Sequence, residues 1–362
     1  MDRHPNLFRA HFQAIPEHYF DRYREFPIIA MRPPRPRPGT TPQLPTTGMP
    51  IPTSARPSPT PGEVSPISII IPSYNAIQFV ELCLDSLVPQ ASDAQAEIIL
   101  VDSSDDGTAE LVRSRYPEVR VIRSDRRLYP AQAKMAGRAA ARGKILAMVD
   151  ADCTVGPEWL HRRLALHLHG HNVVFGSLLP HPDNTVTGWA YYFVEFCYFL
   201  RLKTPGVVRQ GSGANMSFDA SVFDAVRFRE ESAYGLDVVL DADLREQGVA
   251  IQYDPGLPMF HRYHKPFRQF LAHQFHHGRQ IETILFRYRW DSLPRWRFWM
   301  FLLLGPVIPL LYIGYVILTV LVAAPRFLPR LIAAFPLVVS GSIFRKMGGW
   351  WAHIEWLVRT SR

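Results

Sequence analysis

Through the middle of the chain, short β-branched runs alternate with stretches of helical spacing. Residues 67–71 read Ile-Ser-Ile-Ile-Ile and end at Pro72, which predicts a buried strand. Phe79, Leu82, Cys83 and Leu87 then recur at helical intervals over 78–87. A second buried strand is predicted at 97–101, closed by Asp102 and a polar turn. There follow a helix over 108–115, a strand at 119–122, an alanine-rich helix over 130–141 and a strand at 145–149. This alternation predicts an α/β fold, a doubly wound and mostly parallel sheet with helices on both faces. Ligands of such sheets sit beyond the carboxyl ends of the strands. That rule singles out 72–75, 102–106 and 150–152, all polar and two of them acidic.

The texture changes at both ends. Residues 1–31 mix aromatic and charged side chains, and 32–66 hold more than a third of the chain's 32 prolines. The second stretch reads as an extended linker, with a docking site for a proline-recognising module as the alternative. Toward the C-terminus, 298–324 carries no charge and is long enough to cross a bilayer core despite Pro306 and Pro309. A second apolar run, 331–344, is short for a span and reads as a re-entrant or interfacial element, or as half of a hairpin. Between Lys265 and Arg297 the basic residues far outnumber the acids Glu282 and Asp291, which predicts that this flank faces the cytoplasm. The expected division is an extension at 1–31, a linker at 32–66, a catalytic domain at 67–280 and a membrane-anchoring region at 281–362.

Composition narrows the function classes. Hydrophobic residues make up 47% of the chain, enough for a real core, and the formal charge is +8. The basic residues gather around the apolar C-terminal stretch and form no aromatic-rich basic strand, so an anionic membrane is favoured over nucleic acid as partner. Cys83, Cys153 and Cys197 are widely spaced and odd in number, which suggests neither a disulfide framework nor a zinc site. The first residues carry no signal-like apolar run, so the catalytic part is expected on the cytoplasmic side of the inner membrane.

Asp150-Ala151-Asp152 closes the strand at 145–149. Two carboxylates one residue apart at a strand end can approach one hard cation, Mg2+ or Mn2+, which completes its shell with phosphate and water. A second such triplet, Asp241-Ala242-Asp243, falls in an amphipathic helical stretch and reads as solvated surface. His167, His169 and His171 also read as surface.

These segments together resemble the family-two glycosyltransferases of GT-A fold, over about residues 67–280. The run 69–75 resembles the family's opening strand and its P-x-Y-N turn; 97–102 with Asp106-Gly107-Thr108 is similar to its second strand and acidic turn. Residues 149–153 resemble the metal-binding segment, 213–218 the segment near the acceptor, and Gly235-Leu236-Asp237 the start of the helix bearing the catalytic acid. The resemblance implies an inverting, metal-dependent transfer from a UDP- or GDP-sugar to a glycan or lipid-linked acceptor, in envelope or exopolysaccharide assembly. It implies that Asp102 receives the donor's base with Pro72 and Tyr74 shaping that pocket, and that Asp150 and Asp152 meet the ribose and the metal–diphosphate. Asp237 would be the general base, a role compatible with capping the helix that follows. Asn215 would lie on the acceptor side, and His261 would ligate the metal or touch the diphosphate, with an unpartnered surface histidine as its alternative. Where the family often has Arg-Asn, this chain has Lys134, which either supplies a point charge near the donor or sits on a helix surface.

The chain also departs from the family pattern. Leu236 stands where a second acid is usual, which leaves room for a catalytically inactive nucleotide-binding scaffold of the same fold. The Q-x-x-R-W motif of polymer-making members is broken, since Gln274 lacks its Arg-Trp and Arg289-Trp290 lacks its Gln. Single-sugar transfer is therefore expected. Residues 267–290 read either as an amphipathic helix on the membrane or as a core-packing helix.

Overall fold

The computed structural model describes residues 66–225, 236–289, 305 and 307–360. The N-terminal extension and almost all of the proline-rich linker lie outside these residues. The first half builds as the alternating pattern predicts: β1 (Ile67–Ser73), α1 (Val80–Asp93), β2 (Glu97–Asp102), α2 (Thr108–Arg115), β3 (Arg120–Arg123), α3 (Pro130–Ala140) and β4 (Ile145–Met148). β1 pairs in parallel with β2 and with β4, and β2 with β3. Strand period two sends alternate residues to opposite faces. Ile98 and Leu100 join the main core with Leu84, Leu87 and Val112 of α1 and α2, while Ile99 and Val101 pack against Ala133 of α3. The alanines of α3 let it press onto the sheet, so closely that a methyl on Gly137 would collide with Ile70 and Val101.

Beyond β4 the order becomes β5 (Cys153–Val155), α4 (Trp159–Leu168), β6 (Val173–Pro180), α5 (Val186–Glu195), β7 (Gly206–Val208), β8 (Met216–Asp219), α6 (Ala220–Ala225), α7 (Leu236–Glu246) and β9 (Ile251–His261). The sheet runs β3-β2-β1-β4-β8-β6-β9-β5, with β7 also on β9. β6 and β9 run with the first four strands, whereas β5, β7 and β8 run against them. The expected mostly parallel α/β sheet is thus present, with antiparallel strands grafted onto its second half. β9 is buried along its whole length, because β6 flanks it on one side and β5 and β7 share the other.

A second core joins this domain to three further helices, α8 (Phe267–Arg289), α9 (Val307–Ala323) and α10 (Leu328–Thr360), the last two linked by a 3-10 turn at Pro325–Phe327. Trp189, Phe193 and Val194 of α5 meet Val316 and Val320 of α9 and Leu331, Ala334 and Val338 of α10. The sequence expectations differ here. The uncharged run at 298–324 gives a helix of 17 residues from Val307, and 298–304 lie outside the described residues. The supposedly short run at 331–344 sits inside a 33-residue helix. Arg345 does not end it, since its guanidinium pairs with the buried Glu195 of α5 at 2.8 Å. Among the described residues, Pro325–Trp356 is the stretch long and apolar enough to cross a membrane by length and composition. The helix expected at 267–290 packs against α10, with Phe270 and Gln274 fully buried.

Candidate active site

The carboxyl ends of β1 and β4 open onto a cavity of about 440 Å³. Its walls include Pro72, Tyr74, Arg127, Tyr129, Lys134, Asp150, Asp152, Tyr191, Glu195, Ser212, His261, Tyr263, Lys265, His273, His277 and Arg345. The turn after β1 is held by Asn75 in the left-handed region (φ 52°), where its amide donates to Ser104 Oγ at 2.7 Å. Asp106 caps α2 by accepting from the Thr108 amide at 3.1 Å, and its other oxygen accepts from the Ile77 amide. The polar turn after β2 thereby clamps the turn after β1.

The antiparallel register of β5 on β9 places Cys153 opposite His261, which swings Asp152 toward the imidazole. His261 Nε2 lies 3.6 Å from Asp152 Oδ1, and the Arg262 amide donates to the Asp152 carbonyl at 2.9 Å. Lys134 is buried, donates to the Gly213 carbonyl at 3.0 Å and stands 3.5 Å from Asp150 Oδ1. That removes the helix-surface reading of Lys134. Asp150 Oδ1 itself is buried with no hydrogen-bond partner. Burial in the cleft raises the Asp152 carboxyl above the usual carboxylate range, the Asp150 charge adds to this, and His261 and Lys265 oppose it. Two crowded carboxylates, an imidazole and an unsatisfied oxygen fit a divalent cation, which would relieve the crowding and satisfy that oxygen. Ligand atoms of Asp152, Cys153 and His261 all lie within 4.8 Å of one another. Burial and the two acids push the Cys153 and Cys83 thiols well above their ordinary range.

Tyr74 lies at the cavity mouth, 41% exposed, with the Arg127 guanidinium 4.3 Å over its ring and 5.6 Å from the Tyr129 ring. The sequence reading missed Arg127 and Tyr129, although an Arg-Arg-Leu-Tyr-Pro step just before a helix was a visible signal. It also missed the polar network at the far end of the cavity. There Glu195 accepts from Gln274 Nε2 at 2.9 Å, pairs with His277 and Arg345, and has His273 Nε2 3.8 Å away. Arg345 and His277 hold the Glu195 carboxyl well below its usual range despite a burial that would raise it. A lone acid in the apolar stretch 186–200, and histidines four apart at 273 and 277, were the available hints.

Several expected site residues are placed elsewhere. Asp102 is fully buried; its carboxylate accepts from Arg123 at 3.1 Å and from Ser104, so it reaches the cavity only by holding the Ser104 that orients Asn75. Asn215 is likewise fully buried. Its carboxamide donates to the Ser177 and Leu257 carbonyls and accepts from Trp159 Nε1 and Arg163, so it ties β6, β9 and α4 together and has nothing left for an acceptor. Asp237 falls in the first turn of α7, one residue inside the helix rather than ahead of it; its side chain lies outside the described residues. Asp241 is not solvated surface but buried, accepting from the Gly211 amide at 3.2 Å. His167 is buried as well, with Nε2 2.7 Å from Ser217 Oγ, while His169 is exposed as expected.

Residues 68–227 match the family model of glycosyl transferase family 2. The chain is 31% identical over 120 residues to the glycosyltransferase AglE of Haloferax volcanii, covering 30% of this chain and 40% of that protein. It is 32% identical over 102 residues to the succinoglycan biosynthesis protein ExoO of Rhizobium meliloti, covering 28% and 29%. The chain thus spans less than half the length of these relatives. Its fold is similar to that of the mannosyltransferase PcManGT of Pyrobaculum calidifontis, solved with GDP-Man and Mn2+, at 19% identity and a TM-score of 0.52 over 96% of this chain and 97% of that one.

Proposed function

We propose, from the premise that this chain carries a family-two glycosyltransferase domain across residues 68–227, that it transfers a sugar from a UDP- or GDP-sugar to a glycan or lipid-linked acceptor with inversion. The observation that carries the reading is the convergence of Tyr74, Lys134, Asp150, Asp152 and His261 on one cavity at the carboxyl ends of β1 and β4. Its volume of about 440 Å³ falls in the ordinary range of small-ligand sites.

Tyr74, with Arg127 over it, offers a flat cationic face for the donor's base, and Pro72 walls that side. Lys134 stands beside Asp150 as a fixed positive charge for the diphosphate or its ribose. Asp152 and His261, with Asp150 beside them, would hold Mg2+ or Mn2+, whose charge would neutralise the departing diphosphate. An imidazole in the donor set favours Mn2+ over Mg2+. Asp237, at the start of α7, is assigned the general base that takes the proton from the acceptor hydroxyl. The relative named for succinoglycan biosynthesis supports an exopolysaccharide setting; in that reading the α9–α10 hairpin attaches the chain to the inner membrane with the cavity on its cytoplasmic side.

The test is a panel of UDP- and GDP-sugars, with binding and hydrolysis measured in Mn2+ and in Mg2+. Asp152→Asn should lose metal-dependent binding; Asp237→Asn should keep binding and lose turnover. No binding of any nucleotide-sugar with either metal would leave a nucleotide-free scaffold with the family's fold.

A further inference from the structure

We propose that the α9–α10 hairpin does not cross a bilayer but lies flat in one leaflet of an anionic membrane, with its connecting turn at the headgroups. The proposal rests on the membrane attachment argued above and fixes its geometry. A 33-residue helix is about 50 Å long, well beyond the roughly 30 Å bilayer core. One side of α10 is packed from end to end, on α5 of the domain and on α8. Leu331, Ala334 and Val338 pack on α5, and a methyl on Gly341 would strike Phe270. Arg345 pairs with Glu195, a methyl on Gly348 would strike the Phe275 carbonyl, and Glu355 accepts from Arg279 Nη2 at 2.7 Å. If α10 stood across a membrane, this part of the domain would have to enter the hydrocarbon with it, carrying its buried ion pairs.

The opposite side is apolar and exposed over the same length. Ile332 and Phe335, then, two turns on, Ile343, Met347, Trp351, Ile354 and Val358 at steps of three or four residues, mark one exposed side of the helix. α9 continues the surface with Leu310, Leu311, Leu318, Leu321 and Val322, the last 76% exposed. A stripe this long with a packed back matches a helix buried to half its depth in an interface.

Charge identifies the occupant. No acidic residue stands between Asp291 and Glu355, nor between Glu195 and Asp219. Into that acid-free zone the fold gathers Arg201, Lys203, Arg326 and Arg330 at the turn end of the hairpin, all exposed. Arg201 lies 5.9 Å from the Tyr315 ring and Arg330 5.6 Å from Trp189, which puts aromatic rings at the same level. Lys203 and Arg326 also line a separate cavity of about 330 Å³ with apolar walls from Leu179, Phe199, Leu200 and Ala323. Cations over an apolar cleft beside an apolar face suit the phosphate and upper chains of an anionic phospholipid.

The experiment has two arms on the full chain. In flotation, binding to phosphatidylglycerol-containing vesicles should exceed binding to phosphatidylcholine vesicles. Lys203→Gln with Arg326→Gln should weaken the former about thirty-fold and leave the latter unchanged. Equal binding to both vesicle types would overturn the charge assignment. In the second arm, Arg326→Cys and Ser92→Cys variants are probed with an impermeant maleimide in right-side-out and inside-out membranes. Labelling of both from the same face is the expected result. Labelling from opposite faces means that α9 spans, which overturns the flat seating while leaving membrane attachment intact. Nucleotide-sugar binding in detergent is read alongside and reports on the transferase reading separately.

Discussion

The β1–β4 half of the α/β domain and the half from β5 onward contribute to one cavity in different ways. In the first half, functional groups sit at the ends of parallel strands that neighbour one another in the sheet, Tyr74 after β1 and Asp150 after β4, with the turn after β2 holding the turn after β1. In the second half, groups come from pairings distant in sequence. Cys153 faces His261, Glu195 on α5 meets Arg345 on α10, and Asn215 joins β6 to α4. The first mode makes a site whose members can be altered singly; the second makes members whose loss is felt by the whole fold.

The largest effect that would break or sustain this contrast is expected at Asp152. Asp152→Asn should lower sugar transfer at least a thousandfold, about 4 kcal/mol of barrier, while thermal unfolding stays at the parental temperature. If unfolding shifted as much as activity, the group would be structural and the contrast would fail there. Asn215→Ala should do the reverse. It orphans two buried donors and two carbonyls, so a loss of about 3 kcal/mol in urea unfolding is expected, with donor affinity of the folded fraction unchanged.

Per pH unit, His167 gives a smaller effect, graded with pH. Burial, with Arg163 nearby, lowers its pKa to about 3 from the ordinary 6.5. Above 6.5 both folded and unfolded chains carry it neutral. As pH falls below 6.5 the unfolded chain takes up a proton that the folded chain refuses, so stability should drop by about 1.4 kcal/mol per pH unit until pH approaches 3. Denaturant melts of His167→Gln should show a correspondingly flatter slope. Smallest of all, Tyr74→Ala should weaken donor binding about fivefold, the worth of one exposed cation–π face of about 1 kcal/mol, and titration calorimetry would measure it.

The same contrast explains what could be read from sequence. β1, β2 and β4 announce themselves by short, largely apolar runs, and the strand-end rule then points to the segments 72–75, 102–106 and 150–152, which hold Tyr74, Asp150 and Asp152. Lys134 and His261 emerged from family resemblance, and their contacts with Asp150 and Asp152 depend on helix and strand docking that no local pattern specifies. Asp102 and Asn215 are expected at the cavity and lie buried beside it for one reason. A polar residue beside a cavity in sequence is used inward or outward according to its partner, and Arg123, Trp159 and Arg163 had no sequence mark identifying them as partners. Amphipathic spacing assigns Asp241 to solvent because it shows where apolar residues go, not which polar ones are buried with a hydrogen bond, and the lack of a zinc-like grouping with cysteines assigns His167 there. The length of α10 was missed because Arg345 and Lys346 look like the end of an apolar run; one of them is neutralised by Glu195, far upstream.

The position of β9 sets the order in which the molecule can be made. β9 lies between β6 and β5, and among the described residues β5 has no other strand partner, so Asp152 and His261 cannot meet until the ribosome has delivered residue 261. A nascent chain stopped at residue 227, where the family match ends, would leave β6 with one open edge and β5 with no strand beside it. A split version of this protein meant to reassemble on a nucleotide-sugar should therefore be cut after His261, and a chaperone patrolling the exit tunnel has its longest opportunity at the β6 edge.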